Sequence, residues 1–321
     1  MELADALLHG QIDAAIMKTS SIEMIDEMGD FTGFASDVKL IYSGEFTIKV
    51  ATTEENVIDN YLSSDDVINV YISGIESRGG INEVSRSDVN IIMSINKKTH
   101  NILMINTPRD YYVPLSISNG VRDKLTHAGV YGIECSRNTL EMLYGIQIDY
   151  YVKVNFSGFE KIIDSLGGVD VTLDYSATLS QAGNLTVHNG VNHFNGEQAL
   201  AFARERYAYS DGDRQRGRNQ MMIMEAAIKK ACSPAIISNY TSVLSEVSKN
   251  VITDMSYDFI ADLAQTQLND MAAWNITQIS VTGVGSYSST TYSMPGWSLY
   301  IMVPDEESVE NAREQIRDNY N

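Results

Sequence analysis

Two cysteines among 321 residues, Cys135 and Cys232, leave no room for a disulfide framework. Neither lies in a Cys-x-x-Cys or Cys/His spacing that would hold zinc. Two buried free thiols and one disulfide in an exported protein both remain open. Histidine is equally scarce. His9, His100, His127, His188 and His193 make no ligand spacing, and His188 and His193 fall in a Gly/Asn-rich stretch that reads as a surface loop. Gly-x-Ser-x-Gly, P-loop and Gly-x-Gly-x-x-Gly motifs are absent, so Ser/His/Asp catalysis has no positive support. Basic residues number 23 against 42 acidic ones, a net charge of −19. Nucleic acid is therefore excluded as the main partner, because duplex binding rests on a basic footprint. No run reaches the ~18 apolar residues of a membrane helix. There is no leader-like segment, no internal repeat and no low-complexity tract. Met1 leads straight into a helix-like stretch, so the chain is expected to begin partway through a longer protein.

What is present suits a folded protein with a real core. Hydrophobic residues make up 44%, and 18 Tyr, 8 Phe and 2 Trp rule out a disordered chain. The length fits two domains, or one large α/β domain with an appendage. Residues 1–60 read as a small mixed unit. Helical spacing runs through Ala4–Met17 and Ile22–Met28, and strand-like alternation through Val38–Tyr42 and Phe46–Ala51. Thr52–Asp66 is a polar, acidic linker.

The main domain, 66–321, then alternates between the two periods. Strands are expected at Val67–Ile75, Val89–Ile95, Asn101–Asn106, Tyr150–Val154, Val169–Leu173, Ile276–Val284 and Trp297–Val303. Helices are expected at Leu125–Tyr144, Phe156–Leu166, Gly196–Glu205, Arg218–Ala231, Pro234 to about Asn250, Ser256–Asn269 and Asp305–Asn319. Such alternation favours an α/β layered sheet with helices on both faces.

Three groups of residues could carry chemistry. Glu76 follows one expected strand and Asp88 precedes the next, so neighbouring strand ends would bring two carboxylates together. Paired carboxylates attract a hard cation such as Mg²⁺; two solvated loop acids are the plainer reading. Thr107-Pro108-Arg109-Asp110 closes a buried strand, where ligands of open α/β sheets bind. Arg109 could fork onto two phosphate oxygens, or merely pair with Asp110 in a turn. Tyr111 and Tyr112 beside it could touch a sugar or simply pack. Finally, five arginines crowd into fifteen residues: Arg204, Arg206, Arg214, Arg216 and Arg218. Arg78, Arg86 and Arg109 stand at the ends of apolar runs. Arg216 and Gln220 share a helix face at i, i+4. The cluster is either a solvated charged loop or an anion clamp helped by helix N-terminal amides.

Taken in order, these segments resemble the LytR–CpsA–Psr family of bacterial cell-wall enzymes. The resemblance runs through Gly74–Arg78 (GIESR), Arg86–Asn96, Ile105–Val113 (INTPRDYYV), Asp123–Ala128 (DKLTHA), Ile148–Val171, Gly196–Arg206 and Asp213–Gln220 (DRQRGRNQ), over roughly residues 66–255. Residues 1–60, through Ala6–Met17, resemble the partial accessory region that precedes the catalytic domain in capsule-type members.

The resemblance implies a three-layer α/β/α sandwich around a mixed central sheet. It also implies a phosphotransferase that moves a glycopolymer, with one phosphate, from a polyprenyl-pyrophosphate carrier to a peptidoglycan hydroxyl. Glu76 and Asp88 would take the metal-side positions, with Arg86 beside them, and the cofactor would be Mg²⁺, with Mn²⁺ an alternative. Arg109, Arg204, Arg206, Arg216 and Gln220 would hold the pyrophosphate, with Arg218 and Lys124 as lesser candidates. Asp88 would accept the proton of the attacking hydroxyl, with Arg86 and Arg109 as its catalytic neighbours. Helices Leu125–Tyr144 and Phe156–Leu166 could line a lipid groove. The family usually has aspartate where Glu76 stands.

The resemblance also implies a place on the outer face of the bacterial cell membrane, held by an N-terminal helix that is expected to lie upstream of Met1 or to have been removed. The polymer, whether capsule polysaccharide, teichoic acid or another, is not legible in these residues. Two other readings use the same arginines: a non-catalytic module that binds polyprenyl phosphates or wall polymer, and a lipid pyrophosphatase.

Overall fold

The computed structural model describes residue 62 and residues 64–321, apart from 77–79, 181–183, 210, 211, 238 and 239. The elements expected in residues 1–60, the accessory reading of that region, and Arg78 all lie outside the described residues.

Fourteen strands and nine α-helices occur among the described residues. In chain order they begin with β1 (Val67–Ile75), β2 (Ser87–Asn96), β3 (Asn101–Asn106), β4 (Tyr112–Pro114) and β5 (Arg122–Lys124). Then come α1 (Leu125–Ala128), α2 (Ile133–Tyr144), β6 (Tyr150–Asn155), α3 (Phe156–Ser165), β7 (Val169–Leu173), β8 (Ala177–Leu179), β9 (Leu185–Val187) and β10 (Gly190–Phe194). The rest are α4 (Gly196–Arg204), α5 (Gly212–Ala231), α6 (Pro234–Ile237), α7 (Tyr240–Val247), β11 (Val251–Thr253), α8 (Tyr257–Asp270), β12 (Asn275–Ser280), β13 (Gly283–Ser288), β14 (Leu299–Pro304) and α9 (Glu306–Asn319).

The central sheet has six strands in the order β11-β6-β1-β2-β3-β12. It is mixed: β1 runs parallel to β6 and antiparallel to β2, while β3 runs parallel to β12. In β1 both side-chain parities are buried, as a strand covered on two faces requires. On one face Tyr71, Ile92 and Ile105 pack against Leu140 and Tyr144 of α2 and Val309 and Ile316 of α9. On the other, Val70, Ile72 and Met104 meet Met221 and Met224 of α5 and Phe259 and Leu263 of α8. The domain is thus a three-layer α/β/α sandwich. A second core joins α3, α4 and α5 to the small β-pairs β7–β10 and β8–β9.

Several elements differ from the sequence reading. The helix expected over Leu125–Tyr144 is split into α1, a 3₁₀ turn at Gly129–Tyr131, and α2. Gly132 breaks it with φ of 105°, and Gly129 allows a close approach, since a Cβ there would lie 2.6 Å from the Ser85 carbonyl oxygen. Over the helix expected from Pro234 to about Asn250 the described residues form α6 and α7, and the edge strand β11 follows at Val251. The strand expected over Ile276–Val284 divides between β12 in the main sheet and β13 in a hairpin. His193 lies on strand β10, not in a loop, although it and His188 are both exposed as expected. Both cysteines are free, so the disulfide alternative is corrected; burial pushes both thiols up, away from reactivity.

Helix α4 packs on α3 through Gly196, where a Cβ would lie 2.2 Å from the Glu160 carbonyl oxygen. That obstacle is backbone and cannot swing away. Gly196→Ala is therefore expected to lower stability by about 1–3 kcal/mol, measurable as a shifted urea midpoint at unchanged slope. A wild-type midpoint would show that α3 and α4 can separate without cost.

Candidate active site

The site begins with an irregularity in the sheet. Gly74 pairs with Val89, but Ile75 pairs with Ser87, so Asp88 is an extra residue on β2 opposite no partner. Such a bulge bends the strand and re-aims a side chain. Gly74 permits it, because a Cβ there would stand 2.8 Å from Val89 Cβ. Asp88 lines a cavity of about 190 Å³ at the ends of β1 and β6, and so does Glu76, one residue past β1.

Arg109 reaches the same cavity from beyond β3, and its Nη1 donates to Asp88 Oδ1 at 2.9 Å. Thr126 Oγ1 donates to the same oxygen at 3.2 Å. Thr126 also ties the backbone down, its N–H donating to the Arg109 carbonyl at 2.8 Å. The Arg109 and Asp88 side chains are 25% and 15% exposed, so their attraction is less screened than that of a surface pair.

Arg204 ends α4. Its Nη2 donates to Glu76 Oε1 at 2.9 Å, and its guanidinium carbon lies 4.3 Å from the Phe156 ring centroid. Arg206 follows on a turn built around Glu205, which is fully buried. Glu205 Oε1 accepts the backbone N–H groups of Arg206 (2.9 Å), Tyr207 (2.7 Å) and Ala208 (3.1 Å). Three N–H donors on one carboxylate fix the path of the loop. Arg206 then lies over Tyr207, its guanidinium carbon 4.7 Å from the ring centroid.

Helix α5 starts at Gly212, earlier than expected, so the Arg214–Arg218 segment forms helical turns and not an open loop. Two of its side chains cap the far end of α4. Asn219 Nδ2 donates to the Phe202 carbonyl at 3.0 Å, and Gln220 Nε2 to the Ala203 carbonyl at 3.4 Å. This clamps the helix carrying Arg216 to the helix ending in Arg204.

Arg204, Arg206, Arg216, Gln220, Arg109, Glu76 and Asp88 therefore line one cavity. Its remaining wall includes Ile72, Ile91, Phe156, Phe159, Leu200 and Met224. A second cavity of about 310 Å³ adjoins it, sharing Asp88, Arg109, Arg216 and Gln220 and adding Arg214 and Arg218. Arg218 is held there by Gln215 Oε1, which accepts from Nε at 2.9 Å and Nη2 at 2.6 Å.

Other candidates fall elsewhere. Lys124 lines neither cavity; its ammonium pairs with Asp110. Arg86 is exposed and also lines neither. Of the two helices named for a lipid groove, only α3 contributes, through Phe156 and Phe159; the apolar face of α2 is spent in the core. Tyr111 is a packing residue: it is fully buried and donates to the Thr282 carbonyl, and burial pushes its pKa up to about 12. Tyr112 Oη shares a hydrogen bond with Thr290 Oγ1 at 3.0 Å.

Sequence reasoning missed Glu205, Asn219 and Thr126. Glu205 sits between two arginines and reads as charge alternation, and nothing in its spacing marks it as buried. Thr126 had a signal, since it lies within Asp123–Ala128.

Among the described residues no three acidic, histidine or cysteine side chains converge on one point. Glu76 and Asp88 still fit a divalent cation in a limited way. One oxygen of each is bonded to an arginine, while no bond from Glu76 Oε2 or Asp88 Oδ2 to a described residue is present. Mg²⁺ commonly takes one or two carboxylates and completes its shell with water and substrate phosphates.

The chain is similar to known proteins in sequence and in fold. A curated relative from Bacillus cereus, "Polyisoprenyl-teichoic acid--peptidoglycan teichoic acid transferase TagU", is 34% identical over 197 residues, 60% of this chain and 62% of the relative. The match thus spans less than two thirds of that protein's length. The Halalkalibacterium halodurans protein of the same name is 33% identical over 77% of each chain. The crystal structure of B. subtilis TagV superposes with a TM-score of 0.67 at 27% identity, covering 80% of this chain and 98% of that one. TagT bound to LI-WTA superposes with a TM-score of 0.63 at 26% identity, covering 79% and 91%. The LytR_cpsA_psr family model matches residues 38–314, and the chain belongs to that family.

Proposed function

We propose that the chain is a transferase that moves a teichoic-acid-type glycopolymer from a polyisoprenyl-pyrophosphate carrier to peptidoglycan, at the outer face of the cell membrane. The observation that carries this reading is the composition of one cavity wall: four arginines and Gln220 beside a lining of Ile, Leu, Met and Phe. A polyisoprenyl pyrophosphate has the matching halves, a multiply charged head and an apolar tail. Each arginine supplies charge-assisted, fork-shaped donors.

The acceptor hydroxyl oxygen attacks the phosphorus that carries the polymer. The bond from that phosphorus to the bridging oxygen breaks, and polyisoprenyl phosphate leaves with the electron pair. Arg109, Arg204, Arg206 and Arg216 neutralise the charge that collects on the leaving phosphate, and Gln220 orients it. Asp88, aimed into the cavity by its bulge, accepts the proton of the hydroxyl. Glu76 and Asp88 would hold Mg²⁺, which would supply charge neutralisation at the phosphoryl group. Glu76 also accepts from Arg204 Nη2 at 2.9 Å, which ties it to the arginine side of the site.

The test is an assay with a short polyisoprenyl-pyrophosphate glycan and peptidoglycan sacculi, with Mg²⁺ or with EDTA. Label is expected to enter the wall fraction with Mg²⁺ and to fall at least tenfold with EDTA. Tight binding without turnover would make the chain a binding module. Release of soluble polymer phosphate with no wall incorporation would make it a hydrolase.

A further inference from the structure

From Met271 to Pro304 the sequence contains no Asp, Glu, Lys, Arg or His, in a chain of net charge −19. Most of this charge-free stretch is the β13–β14 hairpin and its connection, rich in Ser, Thr and Tyr. Tyr287 and Tyr300 face each other across the hairpin as a register pair, with ring centroids 5.9 Å apart and planes at 79°. Tyr287 is 72% exposed and Trp297, in the connection, 67%. Gly285 leaves room for the platform, since a Cβ there would lie 2.8 Å from Tyr300 Oη.

The connection is anchored. Ser293 N–H donates to Asp123 Oδ2 at 2.7 Å, Ser293 Oγ is 2.8 Å from His127 Nδ1, and the same nitrogen is 2.7 Å from Asp123 Oδ1. Asp123 and His127 are buried, so two residues of the Asp123–Ala128 motif that line neither cavity serve to hold this loop. Because Ser293 and Asp123 both use Nδ1 of the histidine, the three are not a relay of the hydrolase kind, which needs both ring nitrogens.

The hairpin roots in the site. Thr282 and Met302 line the second cavity, which shares Asp88, Arg109, Arg216 and Gln220 with the first. Gly285 pairs with Met302 and Tyr287 with Tyr300, so both tyrosines stand on the same hairpin face as Met302. Tyr287 is two residues beyond Gly285, about 7 Å along the strand.

We propose that this neutral, aromatic and hydroxyl-rich hairpin face, continuous with the second cavity, is the docking surface for the acceptor: a glycan strand of uncharged sugar rings. The proposal rests on the transferase reading and assigns its acceptor side. Sugar rings offer C–H faces to the negative face of Tyr and Trp, and their hydroxyls suit Ser, Thr and Tyr partners. The stretch itself offers a polyanionic polymer no cation; Arg214 meets the hairpin at its root, its Nη2 3.5 Å from the Gly283 carbonyl oxygen. A membrane surface is disfavoured too, because interfacial binding to anionic lipid draws on Lys and Arg. The donor head thus takes the arginine cavity, and the acceptor approaches along a hairpin whose own residues carry no charge.

The experiment uses the full chain, with uncharged N-acetylglucosamine oligomers as the strand-binding probe and peptidoglycan as the acceptor. Trp297→Ala combined with Tyr287→Ala is expected to weaken strand binding at least tenfold and to raise the acceptor KM to the same extent. Binding of a polyisoprenyl pyrophosphate is expected to stay at the wild-type level. Trp297→Phe with Tyr287→Phe should retain binding, which separates stacking from a general loss of the loop. Strand binding unchanged in the alanine variant overturns the proposal, as does wild-type binding to anionic phosphatidylglycerol vesicles that the same substitutions abolish. Loss of donor binding in Arg216→Ala tests the transferase reading separately, so the two can fail independently.

Discussion

Replacing Arg109 with alanine is expected to reduce kcat/KM for the lipid-pyrophosphate donor by about 10²–10³-fold while the chain still folds. Arg109 and Arg216 are the two arginines among the described residues that line both cavities. Hydrogen bonds to charged groups contribute about 1.5–3 kcal/mol each, and each ~1.4 kcal/mol is a factor of ten. A lost two-toothed contact to phosphate, about 3–6 kcal/mol, therefore removes at least two orders of magnitude. The fold bears the change more easily. Asp88 keeps Thr126 Oγ1 as a donor at 3.2 Å and some solvent, and Arg109 is 25% exposed. A stability loss of about 1–2 kcal/mol follows, not collapse. Arg109→Lys should recover only part of the rate, because an ammonium keeps the charge but not the planar fork. Turnover within threefold of wild type in Arg109→Ala, with normal melting, would remove the arginine from the mechanism.

Much of this arrangement is legible in the sequence, because long elements carry their period. β1, β2, β3, β6 and β7 announce themselves as apolar runs between turn residues, and α9 as an amphipathic stretch behind its Asp305 cap. The strand-end positions of Glu76, Asp88 and Arg109 follow from those runs. Three kinds of feature do not show. Strands of three residues, such as β4, β5, β8, β9 and β11, are too short for a period of two to register. A bulge is a shift between two strands, so Asp88 standing opposite no partner is invisible along one of them. Helix α5 begins among charged residues at Gly212, where hydrophobic periodicity is silent; what holds it is Asn219 and Gln220 capping a helix that ends some fifteen residues earlier in the chain. Clustering of the arginines in space is a property of those contacts, not of their spacing.

Glu205→Ala is expected to cost more stability than any single arginine change, and to lose donor binding as well. Glu205 is fully buried between Arg204 and Arg206, and one of its oxygens takes three consecutive backbone N–H groups. Ser180 Oγ adds a fourth donor at 3.3 Å. Alanine removes the acceptor and strands these donors; at about 1–3 kcal/mol for each unsatisfied group that cannot reach water, a loss of roughly 2–4 kcal/mol is expected. The loop would relax outward to find water, and Arg206 would leave the cavity with it. Donor affinity should then fall about as far as in Arg206→Ala, although Glu205 does not line that cavity. Glu205→Gln separates the two effects. An amide oxygen still accepts the N–H groups, so most of the loop geometry survives, while the bonds lose their charge assistance. Thermal melting and pyrophosphate binding should both fall in the order wild type, glutamine, alanine. If alanine melts like wild type and binds the donor normally, the carboxylate is not what holds Arg206 over the site.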